Sequence, residues 1–150
     1  MKLENTMSAS VEFLICDIID NYYRWSDSIK MKSGNSGQLA NDKDARDVQA
    51  EEFKNGITYK VNSKYVKIYT TNKWGQKSVW GFVVRENNTV KCTTSECYFE
   101  KGDLLKAATY KQALRNFSRG NILNGQNATH INGPMQPDYP NYKTVWTGAN

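Results

Sequence analysis

The sequence predicts an α+β domain in which an N-terminal helix, with a weaker second helix, packs on a small antiparallel β-sheet. Apolar residues recur every three to four positions in the first third of the chain, the period of a helix with one buried stripe. From Gly56 they alternate instead with polar residues, in short runs rich in β-branched and aromatic side chains and bounded by Asn and Gly. Size completes the argument: 150 residues of which 39% are apolar can close one core but hardly two. The chain reads as a single domain over 1–150, with an acidic helical part at 1–56, a basic sheet part at 57–123 and an irregular tail at 124–150.

Residues 8–26 predict the first helix. Val11, Leu14, Ile15, Ile18, Ile19 and Tyr22 form its stripe, Ser8 or Ser10 is placed to cap it, and Glu12, Asp17, Asp20 and Arg24 face water. The Gly, Ser and Asn of 32–41 favour turns and carry little packing surface, so a loop is expected there. Residues 42–54 predict the weaker helix, capped by Asn41 or Asp42, stopped at Asn55-Gly56, and carrying only Ala45, Val48 and Phe53 as a stripe. Strands are expected at 57–61, 64–70, 78–85 and 89–93, with reversals at Asn72-Lys73-Trp74-Gly75 and Glu86-Asn87-Asn88-Thr89. Tyr98-Phe99 and Leu104-Leu105 are expected to extend the sheet, and Thr144-Val145-Trp146 to add an edge strand.

Charge is unevenly spread. Residues 1–56 hold seven Lys and Arg against ten Asp and Glu, whereas residues 57–150 hold thirteen against five. A basic surface concentrates anionic partners, so nucleic acid, a nucleotide or an acidic protein face all fit, with plain solubility as the rival account. The longest apolar run, Val11 to Ile19, is short of the roughly 20 residues of a membrane span and is broken by Glu12, Cys16 and Asp17. The N-terminus does not read as a signal peptide, and a cytoplasmic, membrane-free protein is expected. Cys16, Cys92 and Cys97 are an odd count without an export signal, which argues against a disulfide framework. Cys92 and Cys97 are read as small buried apolar residues, a disulfide staying open for an oxidising compartment.

No catalytic residue, metal site or cofactor is assigned. Neither a Gly-x-x-x-x-Gly-Lys-Ser/Thr run nor a Gly-x-Gly-x-x-Gly run is present, and His130 is the single histidine, in an Asn- and Gly-rich stretch. A structural zinc needs four ligands, and only Cys16 and His130 remain beside Cys92 and Cys97. Aromatic and basic side chains carry more. Tyr65, Lys67 and Tyr69 share one face of a strand by alternation, the combination that stacks on bases and pairs with phosphates. Trp74 and Trp80 are further stacking candidates. Lys111, Arg115 and Arg119 are spaced by four, so a helix over 109–119 would give them one cationic edge ending at Gly120, while a loop would not. Such cations either complement a helix C-terminus or offer a donor fork to phosphate or carboxylate. With Lys106 and Lys101 upstream, the excess favours anion binding by Lys106, Lys111, Arg115, Arg119 and Asn121.

The run Gly102-Asp103-Leu104-Leu105-Lys106-Ala107-Ala108, then Lys111, Ala113, Arg115 and Asn116, then Arg119-Gly120-Asn121-Ile122, with Trp146-Thr147-Gly148 near the end, resembles a pattern of small uncharacterised accessory proteins of tailed bacteriophages. An aromatic-rich strand like Ser78-Val79-Trp80-Gly81-Phe82-Val83-Val84 precedes the pattern in that family. The likeness spans about 64–148. Where the family has an aromatic-Lys-Ala-Pro-Ala run, this chain has Tyr110-Lys111-Gln112-Ala113-Leu114 without the proline. The resemblance implies a viral origin and no named activity; that origin would place the protein in the host cytoplasm, with an acidic host protein as an alternative partner.

The expected function is therefore that of a phage-encoded, non-catalytic binding protein that holds nucleic acid or a nucleotide-type ligand, with host or defence components as its setting. Two rivals stand beside it. One is a virion or host-interaction protein working through its oppositely charged halves. The other is a small nucleic-acid-modifying enzyme using Asp103 or Glu100 beside the cations.

Overall fold

The heptad-like spacing of Met7, Val11, Leu14 and Ile18 sets the whole architecture, because it gives the first helix one continuous apolar face that must be covered. The structure, a computed structural model, describes residues 3–32, 36–93, 96–130 and 133–134. Helices α1 (Asn5–Lys32) and α2 (Ser36–Gly56) precede a four-stranded antiparallel sheet of β1 (Ile57–Val61), β2 (Tyr65–Thr71), β3 (Lys77–Val84) and β4 (Leu104–Leu105), in that spatial order. The fold is α+β, as the sequence predicts.

Helix α1 starts earlier than expected. Ser8 and Ser10 lie inside it, and the Ser8 N–H donates to the Glu4 carbonyl (2.9 Å), so neither serine is a cap. No Pro or Gly interrupts residues 5–7, and burial of Met7 rewards the extra turn. The loop expected at 32–41 is largely helical instead, ending α1 at Lys32 and opening α2 at Ser36, with Asn41 and Asp42 inside α2 rather than capping it. Asn and Gly weaken a helix interior by at most about 1 kcal/mol each and do not break it, so a helix anchored further on propagates through them. The anchor is Phe53, whose ring stacks on Tyr22 of α1 (4.2 Å between centroids), with the Tyr23 hydroxyl donating to Glu51 (3.0 Å) beside it. Helix α2 ends at Gly56 as predicted, where an added Cβ would meet the Thr71 carbonyl oxygen at once.

On β2 the alternation is the expected one. Val66 and Ile68 point to α1 and join Trp80, Val83, Leu104 and Ile122 against Met7, Val11, Leu14 and Ile18. Each such side chain taken out of water contributes about 1.5–3 kcal/mol before entropy is subtracted. Tyr65, Lys67 and Tyr69 point the other way. A bulge opposite Ile68 and Tyr69 inserts Trp80 and turns its indole to the helix side. Its Nε1–H donates to the His130 carbonyl (2.7 Å), and the ring is 3% exposed, so Trp80 is core and not a stacking surface.

The sheet's second face is partly covered by the excursion after β3, which packs Val90, Cys92 and Phe99 on Phe82, Val84 and Leu105. The strand expected at 89–93 reduces to one bridge, Lys91 with Tyr98, and Tyr98-Phe99 forms no strand either. Cys92 and Cys97 are joined in a disulfide across this reversal, which corrects the expectation of two free thiols. Thr144-Val145-Trp146 lies outside the described residues.

Candidate functional site

The segment that carries the sequence pattern divides into a scaffold and a rim. Residues 109–119 are not helical. The Thr109 hydroxyl accepts from the N–H groups of Lys111 (3.2 Å) and Gln112 (3.1 Å), the Ala108 N–H donates to the Gln112 carbonyl (2.9 Å), and the chain reverses. It then runs back along the outer edge of β4, with Leu114 N–H donating to Lys106 O and Arg119 N–H to Leu104 O, both at 2.7 Å. An edge that would otherwise leave its backbone groups unpaired is satisfied this way. Lys111, Arg115 and Arg119 therefore do not form one cationic helix edge.

Two of the predicted anion ligands belong to the scaffold. Arg119 is 3% exposed, donates through Nη1 to Asn116 Oδ1 (3.0 Å) and the Phe117 carbonyl (2.9 Å), and lies 3.9 Å from the centre of the Phe117 ring. Nη1 is thus spent inside the fold, and Nε is buried beside it without a partner among the described residues, so the side chain is turned away from solvent. Asn121 accepts from Leu123 N–H (3.0 Å), which caps the short 3-10 helix Ile122–Asn124, and donates to the Lys101 carbonyl (2.8 Å) and to Asp103 (3.1 Å). Asp103 also accepts from Glu100 N–H (2.8 Å); its burial pushes the carboxyl above its ordinary range while hydrogen bonds from Glu100, Asn121 and Ser118 pull it back. Gly102 approaches Asn121 so closely, at φ 92°, that a side chain would collide with the amide. The Gly-Asp and Arg-Gly-Asn-Ile elements of the pattern are thus one interlocked backbone crossing. Lys106 is exposed, and Lys101 pairs with Glu4, the residue just before α1.

The rim is different. Lys111 and Arg115 line a cavity of about 400 Å³ together with Lys64, Lys91, Tyr65 and Tyr98. Thr89 and Gln112 supply neutral polar groups, Val90 and Ala113 the remaining wall, and none of the ten lining residues is acidic. Arg115 is held by its backbone, whose carbonyl accepts from Thr93 N–H (2.8 Å), and its guanidinium reaches toward the Lys91 carbonyl. Lys91 Nζ lies 3.5 Å from Glu96, which is almost fully exposed, a surface pair of small energetic weight. Tyr65 is half-buried; burial raises its phenol above the ordinary value and nearby Arg115 works against that.

Beside the cavity the open half of the sheet carries more ammonium groups. Lys60 and Lys67 are directly opposed across β1 and β2. Lys67 Nζ sits 3.5 Å over the Tyr110 ring, and Lys77 Nζ 5.5 Å from the Tyr69 ring. Burial lowers the Lys67 ammonium below its ordinary value, and the like charges of Lys60, Lys111 and Lys77 lower it further. Trp74 is 74% exposed in the β2–β3 turn, where Asn72 Oδ1 accepts from the N–H groups of Trp74 and Gln76 and Lys73 lies over the indole.

Of the predicted residues, then, Lys111, Arg115 and Tyr65 come together, Tyr69 lies on the same face, and Lys106, Arg119, Asn121, Trp74 and Trp80 do not join them. Lys64, Lys91, Tyr98 and Gln112 were missed. Gln112 is next to Lys111 in the chain, whereas strict alternation puts Lys64 on the face opposite Tyr65, and it reaches the cavity because it precedes β2, which starts at Tyr65; Lys91 and Tyr98 are brought in by the reversal that the disulfide closes. Among the described residues no helix is long and apolar enough to cross a membrane, and no three His, Cys, Asp or Glu side chains gather as a metal site. Compared with protein-family models, with curated proteins and with solved structures, the chain matches none.

Proposed function

We propose that this chain is a phage-encoded, non-catalytic binding protein that holds a nucleic acid or nucleotide-type ligand by its phosphates. One observation carries the proposal: four cations, Lys64, Lys91, Lys111 and Arg115, converge on a cavity without a lining carboxylate and with two tyrosine rings in its wall. Guanidinium and ammonium donors suit phosphate oxygens, and the rings suit a base. The phage origin rests on the resemblance in 64–148 alone. The contact of Lys101 with Glu4 joins the acidic and basic parts within one chain, so their opposite charge is partly satisfied internally and speaks less for head-to-tail assembly.

A host-cytoplasmic workplace is part of the proposal, and there thiols are kept reduced. The Cys92–Cys97 bond argues the other way. Acid quenching of infected cells followed by thiol alkylation decides between them: a modified Cys92 and Cys97 keep the cytoplasmic assignment, a protected pair removes it.

Binding is tested by fluorescence anisotropy with labelled nucleotides and oligonucleotides at rising salt. Affinity should fall steeply with ionic strength, because phosphate neutralisation releases counterions. Lys111→Ala/Arg115→Ala should weaken it at least ~10-fold, each charge-assisted contact being worth about 1.5–3 kcal/mol. Salt-independent binding, or full affinity in that double variant, overturns the proposal.

A further inference from the structure

We infer that the ligand is a single-stranded nucleic acid that enters the cavity and continues across the open face of β1, β2 and β3. The inference rests on the anion-binding proposal and goes beyond it, since a mononucleotide would need the cavity alone.

Lys111 belongs to both zones. It lines the cavity, and it is also one of the charges acting on Lys67 out on the sheet. From Tyr65 at the cavity wall, β2 carries Lys67 and Tyr69 on the same face, a path of about 13 Å at the usual rise per residue. Along this path cations and rings come in pairs: Lys67 with Tyr110, then Lys77 with Tyr69. Repeated pairing of a π-face with a cation is what binding of successive bases and phosphates requires, and it tolerates any base.

The electrostatics point the same way. Lys60 and Lys67 stand directly opposite in the sheet, an arrangement that costs stability when left uncompensated. Among the described residues, the charges that lower the Lys67 ammonium are those of Lys60, Lys111 and Lys77. A polyanion laid over this face would relieve all of them together, whereas a single phosphate in the cavity would leave Lys60 and Lys77 unmatched. A duplex offers phosphates but keeps its bases stacked, so it makes no use of Tyr69 or of Tyr110, which is 43% exposed.

The test is a labelled oligothymidylate series from about two to about twelve nucleotides, spanning the usual site sizes of sheet-based single-strand binders. It is run on the parent, on Lys67→Ala/Lys77→Ala and on Lys64→Ala/Arg115→Ala, with a mononucleotide, a duplex and an oligouridylate series as further arms. Affinity should rise at least ~10-fold with length, and the salt slope should steepen by about 0.7 for each added phosphate contacted. The Lys67/Lys77 variant should bind the shortest oligomer like the parent and lose the gain with length, while the Lys64/Arg115 variant weakens every length. The tighter of the thymidylate and uridylate series tells whether the strand is DNA or RNA. Length-independent affinity, duplex binding as tight as single-strand binding, or an unaffected Lys67/Lys77 variant overturns the inference, and the cavity proposal survives if Lys64→Ala/Arg115→Ala still weakens binding. Failure of every nucleotide and oligomer to bind removes both. Matching thermal melts of the variants exclude unfolding as the cause.

Discussion

The two faces of β2 differ in what holds them. One face, Val66 and Ile68, is sealed under α1 and has no exposure at all, while Tyr65, Lys67 and Tyr69 on the other are only half-covered and surrounded by cations. Alternation along one strand thus separates folding from recognition by a single residue step. The same division recurs in the loop after β4, where Arg119 and Asn121 fasten the backbone and Lys111 and Arg115, a few residues earlier, face the cavity. Residue type is a poor guide to which side of the division a cation falls on; the direction of the backbone decides it.

Substitutions on the two sides should separate sharply. Ile68→Ala removes a fully buried side chain from between β2 and α1 and should cost about 2–5 kcal/mol in chemical denaturation, whereas Tyr69→Ala should stay under about 1 kcal/mol. Equal losses would break the contrast. Arg119→Ala should cost about 2–3 kcal/mol, since it strands the Asn116 and Phe117 acceptors, while Arg115→Ala stays within about 0.5 kcal/mol and loses binding instead.

The disulfide links the two sides, because its reversal places Lys91 and Tyr98 in the cavity wall. Cys92→Ser/Cys97→Ser should lower stability by about 2 kcal/mol, the loop-closure value for so short a loop, and also weaken anion binding. A variant that melts early but binds normally would confine the bond to the scaffold. The smallest expected effect is a pH dependence from Asp103. Its folded-state carboxyl is raised above the unfolded value, so the stability it contributes is present below the ordinary aspartate pKa and lost as pH rises through the raised one. Asp103→Asn should remove that downward component, read from denaturation midpoints between about pH 3 and pH 7. An unchanged slope would mean that the hydrogen bonds offset the burial.

Much of the fold was legible along the chain. The stripe of α1, the end of α2 at Gly56, the first three strands to within a residue and both turns follow from local periodicity and turn chemistry. The helical character of 36–41 was not, because Gly and Asn are weak helix formers that packing further along overrides. Spacing by four suggested a common edge for Lys111, Arg115 and Arg119, and a hydroxyl-stabilised turn at Thr109 removed it.

By itself the sequence determined the α+β class, the in-and-out alternation of β2 and the concentration of positive charge after residue 56, since these depend on neighbours in the chain. Only the tertiary structure decided which cations meet. Lys64, Lys91, Lys111 and Arg115 are drawn from separate segments and share a cavity because the disulfide-closed reversal and the strand-edge return of 113–121 fold over the same face of the sheet. Long-range pairing of that kind leaves no periodic trace in the sequence.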